Sequence, residues 1–205
     1  MVALKPLILL GLVANAAAAG HGVQHADAMH ARQDYGNGSK GKGEGSKCGK
    51  LNFVFTGIPW NHPAIKASGR DPAMVEAAIK YDIQTIVQAG YNIKAILVGP
   101  EDPISDIAEE LDNVPGVKDW TATGVGYGLR GSNATTLTLR FTDVIELFRE
   151  KQPEAPILFN YSPVTSLWAI QQKFPLPAGT NCSAEGKPGK DYGIAIHCSA
   201  CKSTN

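Results

Sequence analysis

The sequence predicts an α/β fold, a small three-layer sandwich of about four parallel strands in the order 2-1-3-4 with helices on both faces. Short apolar runs alternate with segments of helical period between residues 51 and 177. The runs are apolar almost throughout, as in parallel strands covered on both sides. A capping residue followed by proline comes after three of the four runs and marks a helix start. Right-handed crossovers then favour the order 2-1-3-4.

The first strand and helix have the clearest signals. Residues 51–56, LNFVFT, form an apolar run before a Gly- and Pro-containing turn. Asp71 and Pro72 start the helix, because aspartate is a good N-cap and proline loses no needed hydrogen bond in the first turn. The apolar stripe of this helix recurs at spacings of three and four and consists of Val75, Ile79, Ile83 and Ile86.

The second and third strand–helix pairs follow the same pattern. Residues 93–98 form the second strand, and Asp102 with Pro103 opens its helix. Residues 120–125 form a weaker third strand. The helix after it starts near Thr135 and has an apolar face of Leu137, Phe141, Val144 and Phe148.

The fourth pair completes the predicted domain. Residues 156–160, PILFN, form the strand, and Ser162 with Pro163 starts the last helix. The stretch 51–177, about 125 residues, is long enough to bury a core of its own. We therefore expect one flavodoxin- or Rossmann-like α/β domain over residues 51–177.

The flanking segments predict a secreted, extracellular protein. Residues 1–20 have one early cation, a short apolar run and then small residues, which is the pattern of a signal peptide. The run is shorter than the roughly 20 residues of a membrane span, so no membrane association is expected. Residues 21–50 form a Gly-, Lys- and His-rich flexible leader, and residues 178–205 form a cysteine-containing C-terminal tail.

The cysteines and glycosylation sequons agree with export. All the cysteines lie outside the predicted domain, at Cys48, Cys182, Cys198 and Cys201. They predict two disulfides with three possible pairings, of which at least one bond joins Cys48 to the tail. A structural bond is favoured over zinc or redox chemistry for the CxxC pair at 198 and 201. Acceptor sequons for N-glycosylation occur at Asn37, Asn133, Asn160 and Asn181.

Charge and motifs exclude several function classes. Nineteen basic and nineteen acidic residues give a net charge of zero, so no nucleic-acid partner is expected. The sequence has no G-x-S-x-G elbow, Walker loop or H-E-x-x-H motif. His62 and Ser132 are the weak catalytic candidates, and the alternative for His62 is a plain surface residue. The G-x-G-x-x-G match at 126–131 follows the third strand and lacks an acidic ribose ligand, so no cofactor and no metal is predicted.

A ligand site is expected where the strand order reverses, between the first and third strands. The loops after these strands, 56–62 and 124–133, are rich in glycine and polar residues. Backbone amides, a following helix and the Arg130 guanidinium favour an anion such as phosphate or carboxylate. The alternative is that the glycines only permit turns and that Arg130 is a structural cation. The predicted ligand-binding residues are Thr56, Gly57, Trp60, Gly126, Gly128, Arg130, Ser132, Asn160 and Ser162.

Three stretches carry a family resemblance. FTGIPW at 55–60, GYGLRGS at 126–132 and LFNYSP at 158–163 resemble a family of small uncharacterised Rossmann/flavodoxin-like α/β proteins of fungi and bacteria. The resemblance covers residues 51–177 and omits the leader and the tail. It implies the fold and a secreted fungal variant of it, and it implies no activity.

Two functions are therefore expected, in order of preference. The first is a secreted, disulfide-containing α/β protein that acts outside the cell by binding, in concrete form a fungal effector or host-interaction protein. The alternative is an enzyme that acts on a small phosphorylated or carboxylated metabolite at the carboxyl ends of the strands. The partners would be an anionic small molecule or a host protein, and turnover that depends on Arg130 would favour the enzyme.

Overall fold

The computed structural model describes residues 47–182 and 194–201 and shows an α/β fold built on one parallel sheet. The expected signal peptide, most of the leader and the acceptor Asn37 lie outside the described residues. The strands are β1 Asn52–Gly57, β2 Asn92–Leu97, β3 Ala122–Val125, β4 Ile157–Phe159 and β5 Ile194–Cys198. The helices are α1 Pro63–Ala67, α2 Pro72–Gln88, α3 Ile104–Asp112, α4 Tyr127–Arg130, α5 Thr135–Lys151 and α6 Ser166–Lys173. Among the described residues, no helix combines the length and the apolar character that crossing a bilayer requires.

The sheet corrects the predicted strand count and order. Its order is β4-β3-β1-β2-β5, so a fifth strand lies beyond β2 and the four-stranded order 2-1-3-4 is incomplete. β5 comes from the stretch assigned to the tail and pairs with β2 from Ile93–Ile194 to Leu97–Cys198. β2 is buried from its second residue onward, and without β5 its backbone groups would form an open sheet edge. Pairing with β5 satisfies those groups.

Helices cover both faces of the sheet because successive strand residues point in opposite directions. On β1, Val54 packs into a core shared with α3, α4 and α5, whose buried side chains include Ile107, Leu129, Leu137, Val144 and Phe148. Phe53 and Phe55 pack on the other face against α2 and α6, among Ile83, Ile86 and Ile170. The three-layer arrangement that the sequence predicts is therefore present.

The helix starts show which cap signals were correct. Asp71 caps α2, since its Oδ1 accepts from the Ala73 N–H at 3.0 Å. Asp102 does not cap α3. Its Oδ2 instead accepts from the Gly99 N–H at 3.0 Å, and Pro103 occupies the N-cap position. The glycine-rich stretch after β3 is also more regular than expected, since Tyr127–Arg130 forms the single helical turn α4.

The cysteines form two disulfides, as predicted. Cys48 pairs with Cys182, and Cys198 pairs with Cys201. The first bond joins the residue ahead of β1 to the segment after α6 and lies buried in the core on the α2 and α6 side. This selects one of the three possible pairings.

Candidate functional site

A cleft lies between α2 and the strands β1 and β2, and it reaches the segments that follow β1, β3 and β4 at the carboxyl edge of the sheet. At that edge β1 and β3 lie side by side, where the strand order reverses. It encloses about 710 Å³, open solvent included. Aliphatic side chains from β1, β2 and α2 form most of its wall. The polar and charged residues that line it are Thr56, Arg70, Asp82, Tyr127, Asn160 and Ser166.

The two loops expected to meet at this edge do so. The Gly126 N–H donates to the Thr56 carbonyl at 2.8 Å, which joins the ends of β3 and β1. Neither Gly126 nor Gly128 has room for a side chain at normal contact distance. A Cβ on Gly126 would lie 3.1 Å from the Thr56 carbonyl oxygen, and one on Gly128 would lie 3.3 Å from Ile58. These glycines therefore allow α4 to approach β1 closely.

Five of the predicted ligand residues line the cleft, and the others have different places. The five are Thr56, Gly57, Gly126, Gly128 and Asn160. Trp60 is buried in the core on the α3 and α5 side. The Ser132 hydroxyl accepts from the Ala134 N–H at 3.1 Å and borders a second, adjacent cleft of about 850 Å³, open solvent included. The Ser162 N–H donates to the Thr165 hydroxyl oxygen at 3.0 Å, so Ser162 supports the loop after β4.

Arg130, which was expected to contact an anion, is hydrogen-bonded within the protein instead. Its Nη2 donates to the Asn160 carbonyl, and its guanidinium lies 5.1 Å from the centre of the Phe159 ring. Burial lowers the pKa of Arg130 from its ordinary value, and neighbouring Tyr127 opposes that shift. Arg130 therefore connects α4 to the end of β4, and it is not among the residues that line the cleft.

Another arginine, Arg70, stands at the cleft instead. Arg70 is exposed, lines both clefts and places its guanidinium 5.6 Å from the centre of the Tyr127 ring. Arg70 lies ahead of α2 and outside the glycine-rich loops, so nothing in the sequence indicated that it would line the cleft. An anion entering the cleft would meet Arg70 before Arg130.

Asp82 is the main cleft residue that sequence reasoning missed. It lies on α2, is 4% exposed, and accepts from the Ser166 N–H through Oδ1 and Oδ2 at 3.3 and 3.2 Å. Desolvation raises the pKa of Asp82 above its ordinary 3.8, while hydrogen bonds from Ser166 and Leu167 act in the opposite direction. The sequence did contain an indication of this residue, because Asp82 is a carboxylate within the apolar stripe of α2, three residues after Ile79.

Asn160 extends this polar cluster. Its Nδ2 donates to the Ser166 hydroxyl at 3.1 Å. Its Oδ1 is buried and has no hydrogen-bond partner among the described residues. Such an acceptor costs free energy unless a ligand or water donates to it. Asp82, Asn160 and Ser166 thus form one connected polar cluster in an otherwise aliphatic cleft.

The weak catalytic candidate His62 has contacts at both ring nitrogens. Nδ1 accepts from the Ala64 N–H at 3.1 Å and caps α1. Nε2 lies 3.1 Å from Glu101 Oε2. Neither His62 nor Ser132 lines the main cleft, so the structure does not bring the two weak catalytic candidates to it.

The sequon asparagines differ in accessibility. Asn160 is 4% exposed and its amide nitrogen donates to the Ser166 hydroxyl, so the fold leaves no space for a glycan on this side chain. Asn133 and Asn181 are exposed. Asn133 borders the second cleft, where a glycan would obstruct the opening.

A scan against protein-family models and searches of the curated proteins and of the solved structures found no match to this chain. The resemblance to small α/β proteins of fungi and bacteria therefore stays a prediction.

Proposed function

We propose that this protein acts outside the cell by binding, and that the cleft between α2 and the strands β1 and β2 holds a small, largely apolar molecule with a hydrogen-bond-donating end. The observation that carries this proposal is the buried, unpartnered Oδ1 of Asn160 beside Asp82 in an aliphatic cleft. Binding pockets commonly combine apolar walls with a few convergent polar groups. A hydroxyl or ammonium group on the ligand would supply the missing donor.

The expected affinity follows from the apolar surface that a ligand would bury against the aliphatic wall of the cleft. Each buried methylene contributes about 0.8 kcal/mol, so an eight-carbon chain would gain about 6 kcal/mol before the cost of association. Even before that cost, about 6 kcal/mol corresponds to a Kd of only about 40 μM, so after it we expect binding in the millimolar range or weaker. A charged amine gains in addition from Asp82 in its ionised form.

Three probes of equal chain length separate the possible ligand chemistries. Octylamine, octanol and octanoate are compared by thermal shift and calorimetry, since a bound ligand stabilises the folded state by mass action. We expect octylamine and octanol to raise the melting temperature. Preferential stabilisation by octanoate that disappears in Arg70→Ala would instead favour an anionic ligand.

A matched pair of variants locates the binding. Ile79 lines the cleft from α2, whereas Ile145 on α5 packs against the core on the other face. Ile79→Trp should fill the cleft and abolish the shift, and Ile145→Trp should leave it unchanged. No shift with any probe, or a shift that survives Ile79→Trp, would contradict binding at this cleft.

The extracellular part of the proposal has its own test. It rests on the sequence of residues 1–20 and is compatible with the two disulfides. Expression of the full chain in a secreting host should place in the medium a protein whose intact mass lacks the signal peptide. Retention of the uncleaved chain inside the cell would refute it.

One observation keeps the enzyme alternative open. A buried carboxylate with a raised pKa in a cleft is a recurring feature of proton-transfer sites, and Asp82 has it. An enzyme acting on a carboxylated or phosphorylated metabolite would use Asp82 as acid or base and Arg70 as the anion contact. Turnover of such a compound that is lost in a folded Asp82→Asn variant would favour this function over simple binding.

A further inference from the structure

The two disulfides of this protein differ in burial. Cys48 and Cys182 are 2% and 4% exposed and belong to the hydrophobic core. Cys198 and Cys201 are partly buried and pack against the core on the α3 and α5 side, but neither is enclosed by it. Exchange requires a thiolate to reach a sulfur, so access distinguishes a labile disulfide from an inert one.

They also differ in the length of chain that they close. Cys48 and Cys182 are 134 residues apart, whereas Cys198 and Cys201 are three apart. Reducing the long-range bond frees a large loop in the unfolded chain, and reducing the short one frees very little. The short bond can therefore open without loss of the global fold.

The short disulfide also has a defined place on the sheet. Cys198 is the last residue of β5, and the turn from 198 to 201 lies at the carboxyl edge. The Ser199 N–H donates to the Leu97 carbonyl at 3.1 Å, at the end of β2. The Ser199 hydroxyl donates to Asp102 Oδ2 at 2.8 Å, and Asn61 Nδ2 donates to the Ala200 carbonyl at 2.6 Å. The turn thus joins the segments that follow β1 and β2.

We propose that Cys198–Cys201 is a thiol–disulfide exchange site that accepts two electrons from an external dithiol. One thiolate of the dithiol attacks a sulfur of the Cys198–Cys201 bond, which forms a mixed disulfide and releases the other cysteine as a thiolate. The second thiolate of the dithiol then attacks the dithiol's own sulfur in the mixed disulfide, which breaks the bond to the protein and releases the second cysteine as a thiolate. Two electrons and two protons pass to the protein, and the dithiol leaves as a disulfide.

Reduction has a local structural consequence. The turn loses its covalent closure, so its contacts to Asn61 and Asp102 weaken and the carboxyl edge between β1 and β2 becomes more mobile. This differs from the purely structural bond that the sequence favours. The assignment does not depend on what occupies the cleft, because none of the turn residues lines it.

The direct test is selective reduction of the oxidised full chain under native conditions. The chain is exposed to dithiothreitol, quenched over time with N-ethylmaleimide, digested and analysed by mass spectrometry. We expect labelling at Cys198 and Cys201 to be at least about tenfold faster than at Cys48 and Cys182. Equal rates for the two pairs, or labelling of 198 and 201 only after unfolding, would overturn the proposal.

A single-cysteine variant checks the covalent intermediate. In Cys201→Ser, the remaining Cys198 thiol should form a mixed disulfide with glutathione on incubation with glutathione disulfide, which adds one glutathione to the intact mass. Failure to form this adduct in a folded variant would count against exchange at this site. The buried pair serves as the internal control, since Cys48 and Cys182 should remain bonded.

Hydrogen exchange tests the structural consequence separately. Reduction of the wild-type chain should speed amide exchange in residues 58–62 and 99–103 several-fold, with no change in α5. The double variant Cys198→Ser/Cys201→Ser should show the faster exchange with or without reductant. Unchanged exchange in the reduced chain would refute the loosening of this edge.

Discussion

Replacing Asp82 by asparagine tests the polar cluster in the cleft most sharply. The carboxylate is buried on α2 and accepts from the first N–H of α6, so it caps that helix from a distance of 84 residues in sequence. Desolvation raises its pKa in the folded state above the ordinary 3.8. The folded state therefore holds this proton more tightly than the unfolded state does.

The sign of the pH dependence follows from this shift. Because the folded pKa lies above the unfolded one, the stabilising contribution of protonated Asp82 is fully present below the unfolded pKa. It is lost as pH rises through the folded pKa. A single proton can change the free energy of unfolding by at most about 1.4 kcal/mol per pH unit. We expect the stability of wild type relative to Asp82→Asn to decline as pH rises from about 4 toward neutrality.

Two comparisons make this measurement decisive. Urea unfolding followed by tryptophan fluorescence gives the free energy for both proteins at each pH. Asp143→Asn on the exposed face of α5 is the matched control and should show no such trend. Asp82→Ala, which leaves the Ser166 N–H without an acceptor, should cost about 1–3 kcal/mol. A wild-type advantage that grows with pH, or that does not change, would refute the reasoning.

Two further variants test how much a buried disulfide and a buried ion pair contribute to the free energy of unfolding. The double variant Cys48→Ser/Cys182→Ser should lose about 5 kcal/mol of unfolding free energy, because the bond closes a 134-residue separation. A loss below about 1 kcal/mol in denaturant unfolding would contradict this entropic account. Lys94→Met should cost about 1–3 kcal/mol, because buried Lys94 lies 2.7 Å from Glu110 Oε2 and donates to the Glu110 carbonyl, which would lose this donor. A change within about 0.5 kcal/mol in the same assay would show that this pair contributes nothing.

The predicted and the observed sites differ for a specific reason. Thr56, Gly126 and Asn160 could be placed at the cleft from sequence, because parallel strands end at one edge and ligands bind where their order reverses. Arg130 could not be placed, since its partner is a backbone carbonyl and any residue can supply one. Asp82 was missed because its partner Ser166 belongs to a helix whose position depends on the whole sheet.

The predicted and the observed folds also differ for a specific reason. Four strands were predictable because each is an apolar run followed by a helix with an apolar stripe, and these signals are local. β5 was not, because its short apolar stretch, IAI, lies in an otherwise polar, cysteine-containing segment. Its place beside β2 involves the contact of His197 Nδ1 with Glu110 Oε1 at 3.1 Å, and Glu110 also pairs with Lys94. Only the tertiary structure brings those three side chains together.

The sequence alone determined that this is an α/β protein with two disulfides and with polar loops at one edge of a parallel sheet. Those features depend on periodicity, residue type and chain direction, which can be read along the chain. The tertiary structure decided the cysteine pairing, the fifth strand and the exchange of Arg130 for Asp82 and Arg70 at the cleft. Each of these depends on contacts between residues far apart in sequence. Such contacts form, and contribute to stability, only when the chain folds.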